Sequence, residues 1–117
     1  MPAVATITFS PCIDKSFEVP ALIPDIKLAC SRPVFEPGGG GINVSRALKH
    51  LGTDSAAIFP CGGFSGQHFN QLLRNEKVLA MPVDAAHETR QNEIVIERST
   101  GKEFRLGMPC PLLTPAE

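Results

Sequence analysis

Four consecutive glycines, Gly38 to Gly41, follow Pro37 and lead straight into a segment with helical spacing. Pro37 disfavours the helical region for Glu36, so the helix is expected to begin after the glycines. A backbone without Cβ atoms lets a ligand lie directly against it. The start of a helix adds unpaired N–H groups and the positive end of the macrodipole. Together they form a place for an anionic or hydroxyl-rich small molecule. Four glycines also carry a large backbone-entropy cost, which argues against a turn with no ligand.

Neither nucleotide loop fits this run. A P-loop requires Gly-Lys-Ser/Thr after its spacer, and Gly41 is followed by Ile42 and Asn43. A dinucleotide fingerprint begun at Gly38 or Gly39 would place its last glycine at Asn43 or Val44. The pattern therefore points to a sugar or phosphate ligand rather than a nucleotide.

From Ile42 the apolar period is helical. Ile42, Val44, Ala47, Leu48 and Leu51 form the stripe, with Arg46, Lys49 and His50 outside or at its margin. Lys49 and His50 suit the last turn, and Gly52 is a stop. Upstream, residues 4–9 read as a short buried strand, broken by 10–14, which places Asp14 in a turn at its end. Residues 15–19 alternate as a half-exposed strand, Pro20 and Pro24 enforce a connection, and 27–34 is extended with Pro33 favouring an edge. Downstream, 55–59 is a buried strand ended by Pro60, and Ser65 is the expected N-cap of a helix over 66–75. Strands are expected over 77–83 and 90–97, the latter followed by a turn and a hairpin return at 103–106. The tail from Met108 to Pro115 holds three prolines and no clear element. Strands alternating with helices make an α/β chain with a parallel sheet. A sheet with only its first few strands leaves an open edge, so self-association is expected.

Single residues near the loop suit such a ligand. Asn43, in the first helical turn, offers both donor and acceptor to sugar hydroxyls. Asp14, beyond a strand end, can accept from vicinal hydroxyls where α/β sheets place ligands. Arg90 matches a phosphate with its planar fork, and Lys27 supplies a further charge if the extended segment folds over the site. Each also has a plainer use: a polar helix start, a turn-forming Asp, or a solvated surface cation. His50, His68 and His87 show no metal spacing.

Composition excludes several classes. At 117 residues the chain suffices for one small domain, and its net charge of −1 gives no electrostatic footprint for nucleic acid. Trp and Tyr are absent, no apolar run reaches membrane-span length, and residues 1–9 lack the basic front of a signal peptide. The expected location is the cytoplasm. Cys12, Cys30, Cys61 and Cys110 include no C-x-x-C pair and read as reduced, buried or half-buried thiols. Cys12 has no general base beside it in sequence and is not assigned as a nucleophile.

The stretch Phe35-Glu-Pro-Gly-Gly-Gly-Gly-Ile-Asn-Val-Ser-Arg-Ala-Leu-Lys-His-Leu-Gly52 resembles the ribokinase-like PfkB sugar kinases, with Thr6-Ile-Thr-Phe-Ser-Pro-Cys-Ile-Asp14 before it and Thr89-Arg-Gln-Asn92 after it. The likeness runs from about Ala5 to the Pro-rich tail. It implies an incomplete α/β ribokinase-like domain: residues 1–117 as its N-terminal portion, with 15–34 and about 90–107 contributing lid or hairpin strands. It also implies ATP- and Mg2+-dependent phosphorylation of fructose 6-phosphate at its 1-hydroxyl. By the likeness Asp14, Gly39, Gly40 and Asn43 hold the sugar and Arg90 its phosphate. Lys27 lies on a small β lid through which two copies form a dimer, and could approach the partner's site. The ATP site, the Mg2+-linked acidic residues and the catalytic base belong to a second half of the family's domain. No catalytic residue, metal ligand or bound ATP is therefore expected in this chain, and little kinase activity from it alone. Two alternatives stay open: a kinase of tagatose 6-phosphate or fructose 1-phosphate, and a non-enzymatic module that binds sugar phosphate or dimerises through the lid.

Overall fold

Short apolar strands alternating with amphipathic helices dictate parallel pairing, because each helix must return the chain to the same end of the sheet. In a computed structural model that describes residues 2–117, the elements are β1 (Ala5–Ile7), β2 (Cys12–Val19), β3 (Val34–Gly38), α1 (Gly40–His50), β4 (Ala56–Cys61), α2 (Gly63–Asn75), β5 (Leu79–Asp84), β6 (Arg90–Glu97) and β7 (Glu103–Leu106). β1, β4 and β5 form a parallel sheet in the order β1-β4-β5. A second sheet has the order β3-β2-β6-β7, in which β2 and β6 run parallel and the outer pairs antiparallel.

Both helices pack on the face of the first sheet that carries Ala57 and Phe59. Ile42, Phe69, Leu73 and Val78 complete this core, and Ile13 of β2 enters it, so one core joins the two sheets. Phe59 and Phe69 meet edge to face with ring centroids 5.0 Å apart, a favoured aromatic geometry. The opposite face of the first sheet is bare. Its rows, Ala5–Ala56–Leu79 and Ile7–Ile58–Met81, follow directly from the register. Ile7 is 62% exposed and Met81 51%. Parallel sheets are ordinarily covered on both faces, and β1 and β5 each pair on one side only.

Several boundaries differ from the sequence reading. α1 begins inside the glycine run, at Gly40, with Gly39 as N-cap at φ 121°. Gly40 and Gly41 are thus helical, which Pro37 does not prevent because it constrains only Glu36. The buried stripe of α1 is Ile42 and Ser45, while Val44 and Leu51 face outward. Ser45 is small enough to seat the helix close to β1, and its hydroxyl is satisfied by Thr6 Oγ1 at 2.6 Å and Ser55 Oγ at 2.8 Å. Arg46 is not a free surface residue. It donates to Glu76 Oε1 at 2.8 Å and to the Pro37 carbonyl at 3.0 Å, tying α1 to β3 and to the end of α2. β3 runs through Pro37, a residue tolerated because this strand is an edge. Residues 27–33, expected to be extended strand, form no strand of either sheet; Ser31 alone meets β2, its N–H donating to the Glu18 carbonyl at 2.9 Å and its Oγ accepting the Glu18 N–H at 2.8 Å. β5 starts at Leu79 because Lys77, at φ 60°, closes α2 instead; its N–H donates to the Arg74 carbonyl at 3.0 Å.

Ser65 is not the N-cap of α2. That helix starts at Gly63, and its first amides are capped from 23 and 24 residues away: Glu88 accepts from Ser65 N at 2.9 Å, Phe64 N at 3.2 Å and Ser65 Oγ at 2.6 Å. The Ser65 hydroxyl and these two amides hold the Glu88 carboxyl below its ordinary value of 4.5. A lowered folded-state value means that the stabilisation is present above 4.5 and is lost as pH falls through the folded value. Glu88→Gln is therefore expected to lower the urea midpoint at neutral pH, with the gap to wild type closing as pH drops below 4.5. A gap independent of pH would refute the charged cap.

Candidate functional site

The site is built from strand register. In β2, Cys12 and Asp14 point to one face while Ile13 points into the core. Cys12 lies opposite Gly38 on β3 and Arg90 on β6, and Asp14 lies opposite Glu36 and Asn92. Directly paired residues share a face, so Arg90, Asn92, Cys12 and Asp14 stand together beside the glycine run. Asp14 is therefore the third residue of a strand and not part of a turn. The sequence reading placed the break too late, because the isolated polar Asp14 hid the start of β2 at Cys12.

The glycines have separate reasons. A Cβ on Gly38 would lie 2.7 Å from Asp14 Oδ2 and 3.1 Å from Cys12 Sγ, so this glycine leaves the carboxylate its space. Gly39 takes a left-handed φ of 121°, with Thr8 Cγ2 2.7 Å from its missing Cβ. At Gly41 a Cβ would meet Thr8 Oγ1 at 2.5 Å and the Ile7 carbonyl oxygen at 2.8 Å, where α1 crosses the end of β1. Gly40 alone has nothing within 4 Å. The fold does not require a glycine there, and open space above a helix N-terminus is what a ligand needs.

Asn43 is exposed on the first turn of α1, with its backbone N–H donated to the Gly39 carbonyl at 2.8 Å. Its amide is thus beside the loop, as expected. Arg90 opens β6, where its guanidinium donates to the Ser10 carbonyl at 3.2 Å and the Met108 carbonyl at 3.1 Å. Arg90 Nε is buried with no partner, as is Thr8 Oγ1 next to Gly41. A buried donor without an acceptor is costly within a fold. Lys27 lies exposed in the connection between β2 and β3 and, among the described residues, shares no hydrogen bond or ion pair with the others. The structure gathers Asp14, Gly39, Gly40, Asn43 and Arg90 and leaves Lys27 apart.

Cys12 is buried, and its thiol is pushed up to about 11, by desolvation first and then by the Asp14 carboxylate. It stays protonated at neutral pH and donates to Asp14 Oδ1 at 3.4 Å, which agrees with leaving it unassigned as a catalytic nucleophile. Two neighbours escaped the sequence reading. Asn92 accepts the Met108 N–H at 2.9 Å through Oδ1; it sits two residues beyond Arg90 on an alternating strand, so the period alone could have found it. Thr8 carried no such signal, because its role depends on how α1 crosses β1. A broad groove lined in part by Ser45, Lys49, Arg74 and Lys77 shares no residue with this site. It lies where both helices end, and Lys49 and Arg74 there complement the negative helix C-termini. Among the described residues no three His, Cys, Asp or Glu side chains converge as a metal site, and no helix is long and apolar enough to cross a membrane.

Known proteins share this fold. Residues 7–107 match the family described as pfkB family carbohydrate kinase. The chain is 44% identical over 117 residues to the ATP-dependent 6-phosphofructokinase isozyme 2 of Escherichia coli strain K12, covering all of this chain and 38% of that protein. It is 30% identical over 113 residues to the D-tagatose-1-phosphate kinase of Bacillus licheniformis, covering 97% of this chain and 36% of that one. The crystal structure of phosphofructokinase-2 from Escherichia coli in complex with fructose-6-phosphate superposes with a TM-score of 0.92 at 44% identity, over 100% of this chain and 39% of that chain. The chain thus spans little more than a third of the length of these relatives.

Proposed function

The chain belongs to the pfkB family of carbohydrate kinases, and from that premise we propose that it is the sugar-phosphate-binding part of a 6-phosphofructokinase. The reaction is phosphoryl transfer from ATP to the 1-hydroxyl of fructose 6-phosphate. The observation that carries this reading is the placement of Asp14 on the same face as the Gly38–Cys12–Arg90 row, beside the open N-terminus of α1. Asp14 accepts from sugar hydroxyls, Asn43 and the N–H groups of Gly39 and Gly40 bind and orient the ring, and Arg90 takes the phosphate. The site is one of acceptor binding and positioning; its rate contribution is entropic and electrostatic rather than acid–base.

On this reading the phosphoryl donor, ATP with Mg2+, and the base belong to the portion of the relatives that this chain does not span. The second sheet, β3-β2-β6-β7, acts as the lid, excluding water once sugar is bound. It carries Lys27 in its connection and pairs with a second copy. The protein works in the cytoplasm. A second reading is kinase action on tagatose 6-phosphate or fructose 1-phosphate; for the latter, support comes from the 30% identity to the 1-phosphofructokinase of Bacillus subtilis.

Titration calorimetry tests the proposal. Fructose 6-phosphate is expected to bind the chain, and Asp14→Ala to weaken it about tenfold to a hundredfold, the loss of a hydrogen bond to a charged group. Fructose 1-phosphate and tagatose 6-phosphate, run in parallel, are expected to bind less tightly. Wild-type affinity in the Asp14→Ala variant, or no fructose 6-phosphate binding by the wild type, would count against this assignment.

A further inference from the structure

We propose that Cys12 and Cys110 form a redox pair that closes to a disulfide under peroxide and pins the tail across the sugar-binding face. The tail docks on the start of β2 through three contacts. The Ser10 hydroxyl donates to Cys110 Sγ at 2.7 Å, only two residues before Cys12. Arg90, the register partner of Cys12, holds the Met108 carbonyl at 3.1 Å. Asn92, the register partner of Asp14, holds the Met108 N–H at 2.9 Å. Both thiols are free. The other two cysteines are elsewhere. Cys30 lies in the exposed connection between β2 and β3, and Cys61 receives the Asn70 amide at 3.2 Å on the α2 side of β4.

Exposure assigns the order of events. Cys110 is exposed and Cys12 buried, so the Cys110 sulfur meets the oxidant first. It attacks the peroxide O–O bond and takes one hydroxyl as a sulfenic acid, and the thiol proton leaves with the other hydroxyl as water. Cys12 then attacks that sulfur: the S–S bond forms, the S–O bond breaks, and the hydroxyl departs with the Cys12 proton as a second water. Two thiols lose two electrons and two protons, and one peroxide becomes two waters. Burial and Asp14 keep Cys12 protonated, which slows the second step and spares the pair from weak oxidants. The bond would fix the tail beside Asp14 and Arg90, so this consequence rests on the sugar reading.

The intact chain treated with hydrogen peroxide tests it. Its mass is expected to fall by two hydrogens, and peptide mapping is expected to join the Cys12 and Cys110 peptides, reversibly with dithiothreitol. Cys110→Ser, an exposed change, should block the cross-link, and Cys30→Ser should not. Calorimetry should show at least tenfold weaker fructose 6-phosphate binding after oxidation. A map in which both stay unlinked, or in which either pairs with Cys30 or Cys61, overturns the pair; an oxidised chain with unchanged affinity overturns the gating. If the reduced chain binds no fructose 6-phosphate, the gating falls with the sugar reading, while the map still decides the thiol pair.

Discussion

Gly41→Ala is expected to destabilise the fold by about 3 kcal/mol, the upper range for overpacking a tight contact. Gly40→Ala, one residue earlier, is expected to leave stability unchanged or raise it by up to about 1 kcal/mol through helix propensity. The difference follows from what each Cβ would meet. At 41 it would lie 2.8 Å from the Ile7 carbonyl oxygen, a backbone atom of β1 that cannot rotate away, and 2.5 Å from Thr8 Oγ1. At 40 it meets nothing within 4 Å. The order reverses for binding. The Gly40 methyl would stand where the sugar needs the helix N–H groups, and at least a tenfold loss of fructose 6-phosphate affinity is expected, about 1.4 kcal/mol. Urea unfolding and calorimetry on the two variants separate the cases. Equal unfolding midpoints would remove the structural argument, and wild-type affinity in Gly40→Ala would remove the ligand argument.

Arg90→Ala is expected to cost more than either in binding. A guanidinium on a phosphate forms charge-assisted hydrogen bonds worth about 1.5–3 kcal/mol, so affinity should fall about tenfold to a hundredfold. Arg90→Lys should recover only part of this, because an ammonium has no planar fork. A second effect separates this residue from Asp14. Arg90 also holds the Ser10 and Met108 carbonyls, so its loss should free the tail, and limited proteolysis between 108 and 117 should quicken. Affinity unaffected by Arg90→Ala would show that the phosphate lies elsewhere; unchanged proteolysis would show that the tail is held without it.

How much of this was legible beforehand depended on the range of the interactions. Both helices, the parallel core strands and the β6–β7 hairpin came from local period and turn chemistry, and the glycine run marked the candidate site. The boundaries failed where a distant residue intervened. Ser65 looked like an N-cap by local rules, yet the Glu88 carboxylate takes that role. Asp14 looked like a turn residue, yet pairing with Glu36 and Asn92 draws it into a strand. Val44 looked buried, yet Ser45 is the residue that faces the sheet, because two other hydroxyls wait there for its own.

The sequence by itself determined that the glycine run is not a nucleotide loop, that the glycines open a helix, and that a carboxylate, an amide and a guanidinium are available nearby. Those are properties of residue type and short spacing, which act through local backbone preference. Only the tertiary structure decided that Asp14 and Arg90 share one face, that three of the four glycines serve packing or backbone geometry while Gly40 faces open space, and that the tail closes over the start of β2. Such facts follow from strand register and helix crossing, which are set by contacts between residues far apart in the chain.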